Sequence, residues 1–300
     1  MSGKVPGGGP ERSIRSAFAD AQVTGWLHAV DIDSGAEVAV EAESLVSTAS
    51  VHKLCLAVTV QRLADAGRLD PTERLEIAVT GRTAGLTGLA MLRDPVAMSV
   101  RDLLALALTV SDNASADVLF ERIGLPTVNT TMRQLGLHKT VAVHTTRQLI
   151  DSITEDCDGD ESLLHLDPGV LTRLRVLDPL RTNRSTPREM TSLLGALWRD
   201  EACSPERAEE LRRILSLQVW PHRLVSGFPF DDVRVAGKTG TLPTLRSEVG
   251  VVDYPDGGRY AVAVFTRAAR TAVRQPAADA VIGTSARIAI DHLRALRPPA

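Results

Sequence analysis

SVHKLCLAVTVQRLADAG, residues 50–67, is apolar on nearly every side of a helical projection, the pattern of a helix buried at the centre of a domain. Gly67 supplies the C-terminal stop, and Ser50 falls at the N-terminus. Residues three apart on a helix share a face, so the Ser50 hydroxyl and the Lys53 amine are expected within hydrogen-bond reach. A serine is a weak nucleophile until a base takes its proton. A lysine can serve if burial or a neighbouring cation disfavours its ammonium form. Taken alone, the pair equally describes a helix cap beside a surface lysine.

Outward from this helix the chain reads as helical in its middle and extended at both ends. Glu11 to Ala21 forms a short helix, and Trp26–Ile32 and Glu37–Val40 form a hairpin around Asp33-Ser34-Gly35. Helices follow at Val100–Thr109 behind a Ser99 cap, Ala114–Ile123 ending in Gly124, and Thr127–Leu135 ending in Gly136. Residues 138–185 are polar and weakly periodic, a long excursion with some helix in it. Helices resume at Pro187–Arg199 and Ser204–Leu217. Strands return at Arg234–Ala236, Glu248–Asp253 and Arg259–Thr266, and a helix from Pro276 to about Leu296 closes the chain. Strands from both ends imply one antiparallel sheet against a helical layer, an α+β (α/β sandwich) fold. The expected organisation is a disordered, Gly/Pro-rich segment 1–10, then one domain over 11–300. Its helical subdomain covers about 50–220, and its sheet subdomain about 22–49 and 230–300.

The bulk numbers exclude several functions. Net charge is -3 over 300 residues, which gives no long-range attraction to nucleic acid or to an anionic membrane surface. Aromatic content of 3% argues against base-stacking platforms. Cys55, Cys157 and Cys203 form no Cys-x-x-Cys pair and have no histidine at ligand spacing, so neither zinc nor a disulfide framework is expected and no cofactor is implied. No apolar run near the N-terminus resembles a leader, and a cytoplasmic protein acting on a small molecule is the expectation. Of 34 cationic residues only Lys4, Lys53, Lys139 and Lys238 are lysine. A guanidinium does not deprotonate, so these few amines are the ones to inspect.

Two further segments carry chemistry. Ser111-Asp112-Asn113 lies on a turn between predicted helices, where a second hydroxyl can relay a proton and a carboxamide can hold both the catalytic amine and a substrate amide. Lys238-Thr239-Gly240-Thr241 follows a predicted strand. Gly240 permits close backbone approach, the Thr241 N–H can face a bound carbonyl, and Lys238 with the threonine hydroxyls can hold a carboxylate.

Ser-x-x-Lys, Ser-Asp-Asn and Lys-Thr-Gly in this order make the chain resemble the penicillin-recognising serine enzymes, most closely the class A β-lactamases. Ser50 and Ser111 are 61 residues apart, as in that family, and Ser185-Thr186-Pro187-Arg188-Glu189-Met190 is similar to its segment after the omega loop. The resemblance implies a β-lactamase/transpeptidase-like fold and an acyl-enzyme on Ser50, formed with a β-lactam or with a carboxylate-bearing ester or amide. It implies Lys53 and Ser111 as proton carriers, and Asn113, Lys238, Thr239, Gly240 and Thr241 as substrate contacts. The backbone N–H groups of Ser50 and Thr241 would form the oxyanion site, and Arg246 would supplement Lys238.

The family's Glu-x-x-Leu-Asn pattern is missing. The stretch from about His144 to Arg184 is longer by about two dozen residues, and its acids include Glu155, Asp156, Asp158, Asp160, Glu161, Asp167 and Asp178. Acylation is therefore provided for, whereas the base for water attack is open among Lys53, one of these carboxylates, His144 and His165. His52 is expected to pack or cap, because adjacent helix positions point apart. The leading expectation is a hydrolase. The alternatives are a covalent penicillin-binding sensor and a biosynthetic acyltransferase.

Overall fold

The computed structural model describes residues 9–166, 169–269, 271–272 and 274–297. Residues 1–8 of the expected disordered segment and Asp167 lie outside them, as does the side chain of His165. The chain opens with α1 (Pro10–Asp20), β1 (Val23–Asp31), β2 (Glu37–Val40) and the short β3 (Val46–Ser47). The helical middle holds α2 (Lys53–Asp65), β4 (Arg74–Ile77), β5 (Val96–Ser99), α3 (Val100–Thr109), α4 (Asn113–Ile123) and α5 (Leu125–Gln134). The long excursion folds as α6 (Thr146–Asp156), α7 (Leu163–Leu166) and α8 (Val170–Arg173), and returns through β6 (Arg184–Ser185). Then come α9 (Pro187–Trp198), α10 (Pro205–Ser216), β7 (Arg234–Thr241), β8 (Leu245–Asp253), β9 (Arg259–Ala268) and α11 (Pro276–Ala295).

The five long strands form one antiparallel sheet in the order β2-β1-β9-β8-β7. Its central strand β9 is covered on both faces, which is why it reads as an apolar run without polar alternation. Ala261, Ala263 and Phe265 join the core around α2, while Tyr260, Val262 and Val264 join the one under α1 and α11. A fully buried Val or Leu contributes roughly 1.5–3 kcal/mol, against about 0–1 for an exposed ion pair such as Arg287–Asp291. The layers are therefore held by their apolar faces. The helix of residues 50–67 lies at the middle of the larger core, with Leu54, Cys55, Leu56, Ala57 and Val58 fully buried. This is the α+β arrangement expected from the sequence.

Three local details differ from the reading above. The first turn of the central helix, Ala49–His52, is 3-10, and α2 starts at Lys53. In a 3-10 turn residues i and i+3 eclipse, so Ser50 and Lys53 are aligned more tightly than an α-helix would align them. Lys238-Thr239-Gly240-Thr241 does not follow a strand but completes β7, because pairing with Val249, Glu248, Ser247 and Arg246 of β8 outweighs the weak strand preference of Lys and Gly. The small antiparallel pairs β4–β5 and β3–β6 were not anticipated.

Asp112 fixes the turn between α3 and α4. Fully buried, its carboxylate accepts from the N–H groups of Ala114 (3.2 Å) and Ser115 (3.3 Å) at the start of α4 and from Leu89 N (3.0 Å) across the fold. The Ser115 hydroxyl donates to it as well. Gly88, at φ +57°, leaves room for it, since a Cβ there would lie 2.5 Å from the Asp112 carboxyl carbon. Asp112→Ala leaves three amides without their acceptor and is expected to cost about 3 kcal/mol, with Asp112→Asn recovering part of it. Urea unfolding checks this, and a loss below about 0.5 kcal/mol for the alanine variant would remove the cap from the account.

Candidate active site

Lys53 begins α2 and is fully enclosed. Its Nζ donates to Ser111 O (2.7 Å) and Asn113 Oδ1 (2.8 Å) and lies 3.4 Å from Ser111 Oγ. Burial pushes the ammonium down to about 7, against the opposing fields of Asp112 and Asp117. The Ser50 hydroxyl lines the same cavity but makes no side-chain hydrogen bond among the described residues, so the expected Ser50–Lys53 bond is not formed here. Lys53 is held instead by the Ser-Asp-Asn turn. Two residues at this junction adopt left-handed backbone, Ala49 at φ +48° just before Ser50 and Ser111 at φ +57°. Non-glycine residues are uncommon there, and both lie beside the proposed reacting groups.

Lys238 reaches the same hydroxyl from the sheet. Its Nζ donates to Ser111 Oγ at 2.9 Å and to Thr239 O at 2.9 Å. Burial and then the Lys53 charge push its ammonium well below the usual lysine range, opposed by Glu248. Glu248, opposite Thr239 on β8, is fully buried, and burial raises its pKa. Gln218 joins these parts: its Nε2 donates to Glu248 Oε1 (2.7 Å) and its Oε1 accepts from Thr239 N (2.7 Å). Because Thr239 N points out of the sheet to Gln218, the alternation of an antiparallel ladder turns the Thr241 N–H outward too, along the free edge of β7. That is the orientation an oxyanion donor needs.

Gly240 has a reason beyond substrate approach. A Cβ there would stand 2.7 Å from Thr48 O, 2.6 Å from Ser247 Oγ and 3.1 Å from Val51 Cγ2. Only glycine lets β7 lie this close to the turn that carries Ser50.

A cavity of about 360 Å³ opens between these elements, lined by Ser50, Lys53, Asn113, Thr241 and Arg246 among the expected residues. Ser111, Lys238, Thr239 and Gly240 are not among its lining residues. Arg246 spends Nη1 on the carbonyls of Leu242 (2.8 Å) and Leu245 (3.0 Å), which ties down the β7–β8 turn. A second cation escaped the sequence reading. Buried Arg223 donates Nη2 to Thr241 Oγ1 (2.8 Å) and Nη1 to Gly240 O (2.9 Å), and its Nε is held by Asp279 (2.7 Å). Among 30 arginines nothing local marks it; only the fold brings it behind Thr241.

Lys53 lines the cavity, whereas the described carboxylate candidates for water activation are engaged elsewhere. Glu155 and Asp156 pair with Arg175 at 2.6 and 2.7 Å, Glu161 accepts from Thr154 Oγ1, Asp160 from Ser162 N and Asp178 from Leu180 N. Among the described residues lining the cavity none is Asp or Glu, and His144 is not in the lining either. His52 is buried against Thr48 Oγ1 (3.4 Å), with its imidazole pushed down to about 4 by burial, which is a packing role. No group of His, Cys, Asp and Glu among the described residues is arranged to hold a metal, and no described helix is long and apolar enough to cross a membrane.

Known proteins are similar to this chain. The model of the "Beta-lactamase enzyme family" matches residues 9–293. The chain is 34% identical to the β-lactamase regulatory protein BlaB of Streptomyces cacaoi over 303 residues, covering 94% of this chain and 97% of that protein. A solved β-lactamase from Sphaerobacter thermophilus is similar at a TM-score of 0.78 and 24% identity, over 96% of this chain and 99% of that one. A mutant of PBP-A, solved as its acyl-enzyme complex with penicillin G, is similar at a TM-score of 0.78 and 21% identity, over 96% and 97% of the two chains. At these identities the two structures speak for the fold, and the match over nearly the whole chain speaks for descent. The chain belongs to the β-lactamase enzyme family.

Proposed function

We propose that Ser50 accepts an acyl group from a β-lactam, or from an ester or amide that carries a carboxylate, and that the resulting acyl-enzyme is long-lived. The observation that carries the first half is the placement of Lys53: enclosed, held by Ser111 and Asn113, and depressed to about 7, in the wall of the cavity that Ser50 lines. In the acylation step Ser50 Oγ bonds to the carbonyl carbon and gives its proton to neutral Lys53. The N–H groups of Ser50 and Thr241 take the developing oxyanion. As the C–N or C–O bond breaks, the leaving group receives a proton through Ser111, which both amines touch. Lys238, with Arg223 behind Thr241, supplies positive charge for the substrate carboxylate.

The second half rests on the lining. Water attack needs a positioned base, worth typically 10²–10⁴-fold in rate, and no carboxylate lines the cavity among the described residues. The 34% identical relative is named as a regulatory protein, which agrees with a chain that senses by staying acylated. A cytoplasmic place of action completes the reading, supported by three buried, unpaired thiols; fractionation of the native cells checks it.

Intact-mass measurement after mixing with penicillin G is expected to show one added acyl mass that persists for minutes and is absent from Ser50→Ala. Return to the free mass within seconds would make the chain a turning-over hydrolase, and no adduct with penicillin G, nitrocefin or a simple ester would remove Ser50 from the nucleophile role.

Acylation should rise with pH about tenfold per unit below pH 7 and level off above it, since only the neutral amine of Lys53, with its pKa near 7, takes the Ser50 proton. Lys53→Arg keeps the charge and removes the base, so acylation should fall by at least about 10³-fold. Lys238→Arg should retain measurable acylation at saturating substrate while weakening productive binding. Single-turnover rates separate the two, and near-normal acylation by Lys53→Arg would move the proton to Ser111.

A further inference from the structure

The excursion between Val143 and Arg184 builds one side of the cavity, and that side is mostly apolar: its polar lining residues are Thr146 and Asn183, and the Asn183 amide is already bonded to Val143 N, His144 N and His144 O. Ile150 and Ile153 of α6 and Leu164 of α7 are half-buried side chains that line the cavity, and Leu149 and Leu242 stand beside them. The wall is preformed rather than improvised. Leu149, Ile153, Leu164 and Leu242 pack into a cluster of their own with Cys157, Val170, Leu174, Val176 and Leu177. Helix α6 is fixed at its start by a capping box between Thr145 and Gln148, and by Asp117, which accepts from Thr146 N (2.6 Å) and Arg147 N (2.7 Å). Across the cavity stand Ser50, Lys53, Asn113 and Thr241. The two walls thus differ in chemistry: one holds polar atoms at the reacting centre, while the other offers mostly apolar contact area, with the Thr146 hydroxyl at the start of α6.

An acyl group attached to Ser50 starts at the polar wall and has about 360 Å³ to occupy. A polar substituent directed at Ile150, Ile153 and Leu164 would lose its water with nothing to replace it. An apolar one would gain about fourfold in acylation per buried methylene. We infer that the physiological substrate of Ser50 carries an extended apolar acyl substituent, an alkyl chain or aryl group of about four to eight carbons, seated against Ile150, Ile153 and Leu164. This rests on the reading of Ser50 as the acylated residue.

p-Nitrophenyl esters of acetate, butyrate, hexanoate and octanoate test both statements separately, because each acylation releases one p-nitrophenol. The second-order acylation rate is expected to climb about fourfold per methylene up to hexanoate at least. Ile150→Ser and Ile153→Ser should each cut the octanoate-to-acetate rate ratio severalfold, a ratio from which the fraction of correctly folded protein cancels. A ratio unchanged in both variants, or a chain-length profile that is flat or falling, overturns the apolar acyl site while leaving Ser50 acylation in place. No burst with any ester, or a burst that survives Ser50→Ala, overturns the nucleophile assignment instead.

Discussion

Two buried amines meet on one hydroxyl. Lys53 comes from the central helix and Lys238 from the edge strand of the sheet, and both Nζ atoms lie within 3.4 Å of Ser111 Oγ, on the turn between α3 and α4. Two ammonium charges bridged by one hydroxyl, and so no farther than about 6 Å apart, repel by at least about 2.5 kcal/mol at an effective dielectric near 20, before any loss of hydration is counted. The site therefore favours one charge over two. Burial and mutual repulsion push the amines towards neutrality, while Asp112, Asp117 and Glu248 oppose the push. The balance leaves Lys53 near 7, poised between base and acid. An amine on the surface would stay charged and useless as a base; one buried without these carboxylates would hold no proton to return.

Maintaining that junction has costs that the surroundings offset. Ala49 and Ser111 both hold left-handed backbone at roughly 1–2 kcal/mol each. The compensation is visible in two places. The central helix buries Leu54, Leu56, Val58 and Val60 completely or nearly so directly after Ser50, and Asp112 ties the strained turn to α4 and to Leu89. Gly240 completes the junction by allowing β7 to lie against Thr48 O and Val51. The glycine of the Lys-Thr-Gly segment is thus as much a spacer between sheet and nucleophile as a path for substrate.

Local signals in the sequence were good guides wherever the local chain decides its own conformation. Ser99 caps α3, Gly124 ends α4, and the Asp33-Ser34-Gly35 turn joins β1 to β2. The three chemical segments were legible through their order along the chain, and the structure brings Ser50, Lys53, Ser111, Asn113 and Lys238 to one place. What escaped depends on contacts distant in sequence. The pairing of Glu76 with Ala97 follows from register rather than propensity. Lys238 and Gly240 join a strand because β8 is there to pair with them. Arg223, Gln218 and Glu248 look like ordinary surface residues until the fold gathers them behind the Lys-Thr-Gly edge, with Arg223 and Glu248 buried and Gln218 half-buried. Left-handed Ala49 and Ser111 carry no local mark at all, since neither residue type favours that region.

The two walls of the cavity are built by different rules. The polar wall is assembled from three distant segments, each braced against the others through Ser111, so a shift in any one moves the proton carriers. The apolar wall comes mostly from one consecutive excursion, with Leu242 of the β7–β8 turn beside it, and Asn183 closes the excursion's neck. Its Oδ1 accepts from Val143 N (2.7 Å) and His144 N (2.8 Å), and its Nδ2 donates to His144 O (2.9 Å). Beyond that neck the excursion meets the rest of the site through Asp117 at the start of α6 and through its apolar cluster, which takes in Ala49, Leu242 and Leu245. Changes at its cavity-facing positions Ile150, Ile153 and Leu164 can therefore alter which acyl group fits while leaving the bonds of Lys53 and Lys238 to Ser111 in place. On the proposed reading, acylation belongs to the braced frame, and substrate choice and the lifetime of the acyl-enzyme belong to the excursion. A family that shares the first and varies the second can hold members that hydrolyse and members that remain acylated on one fold.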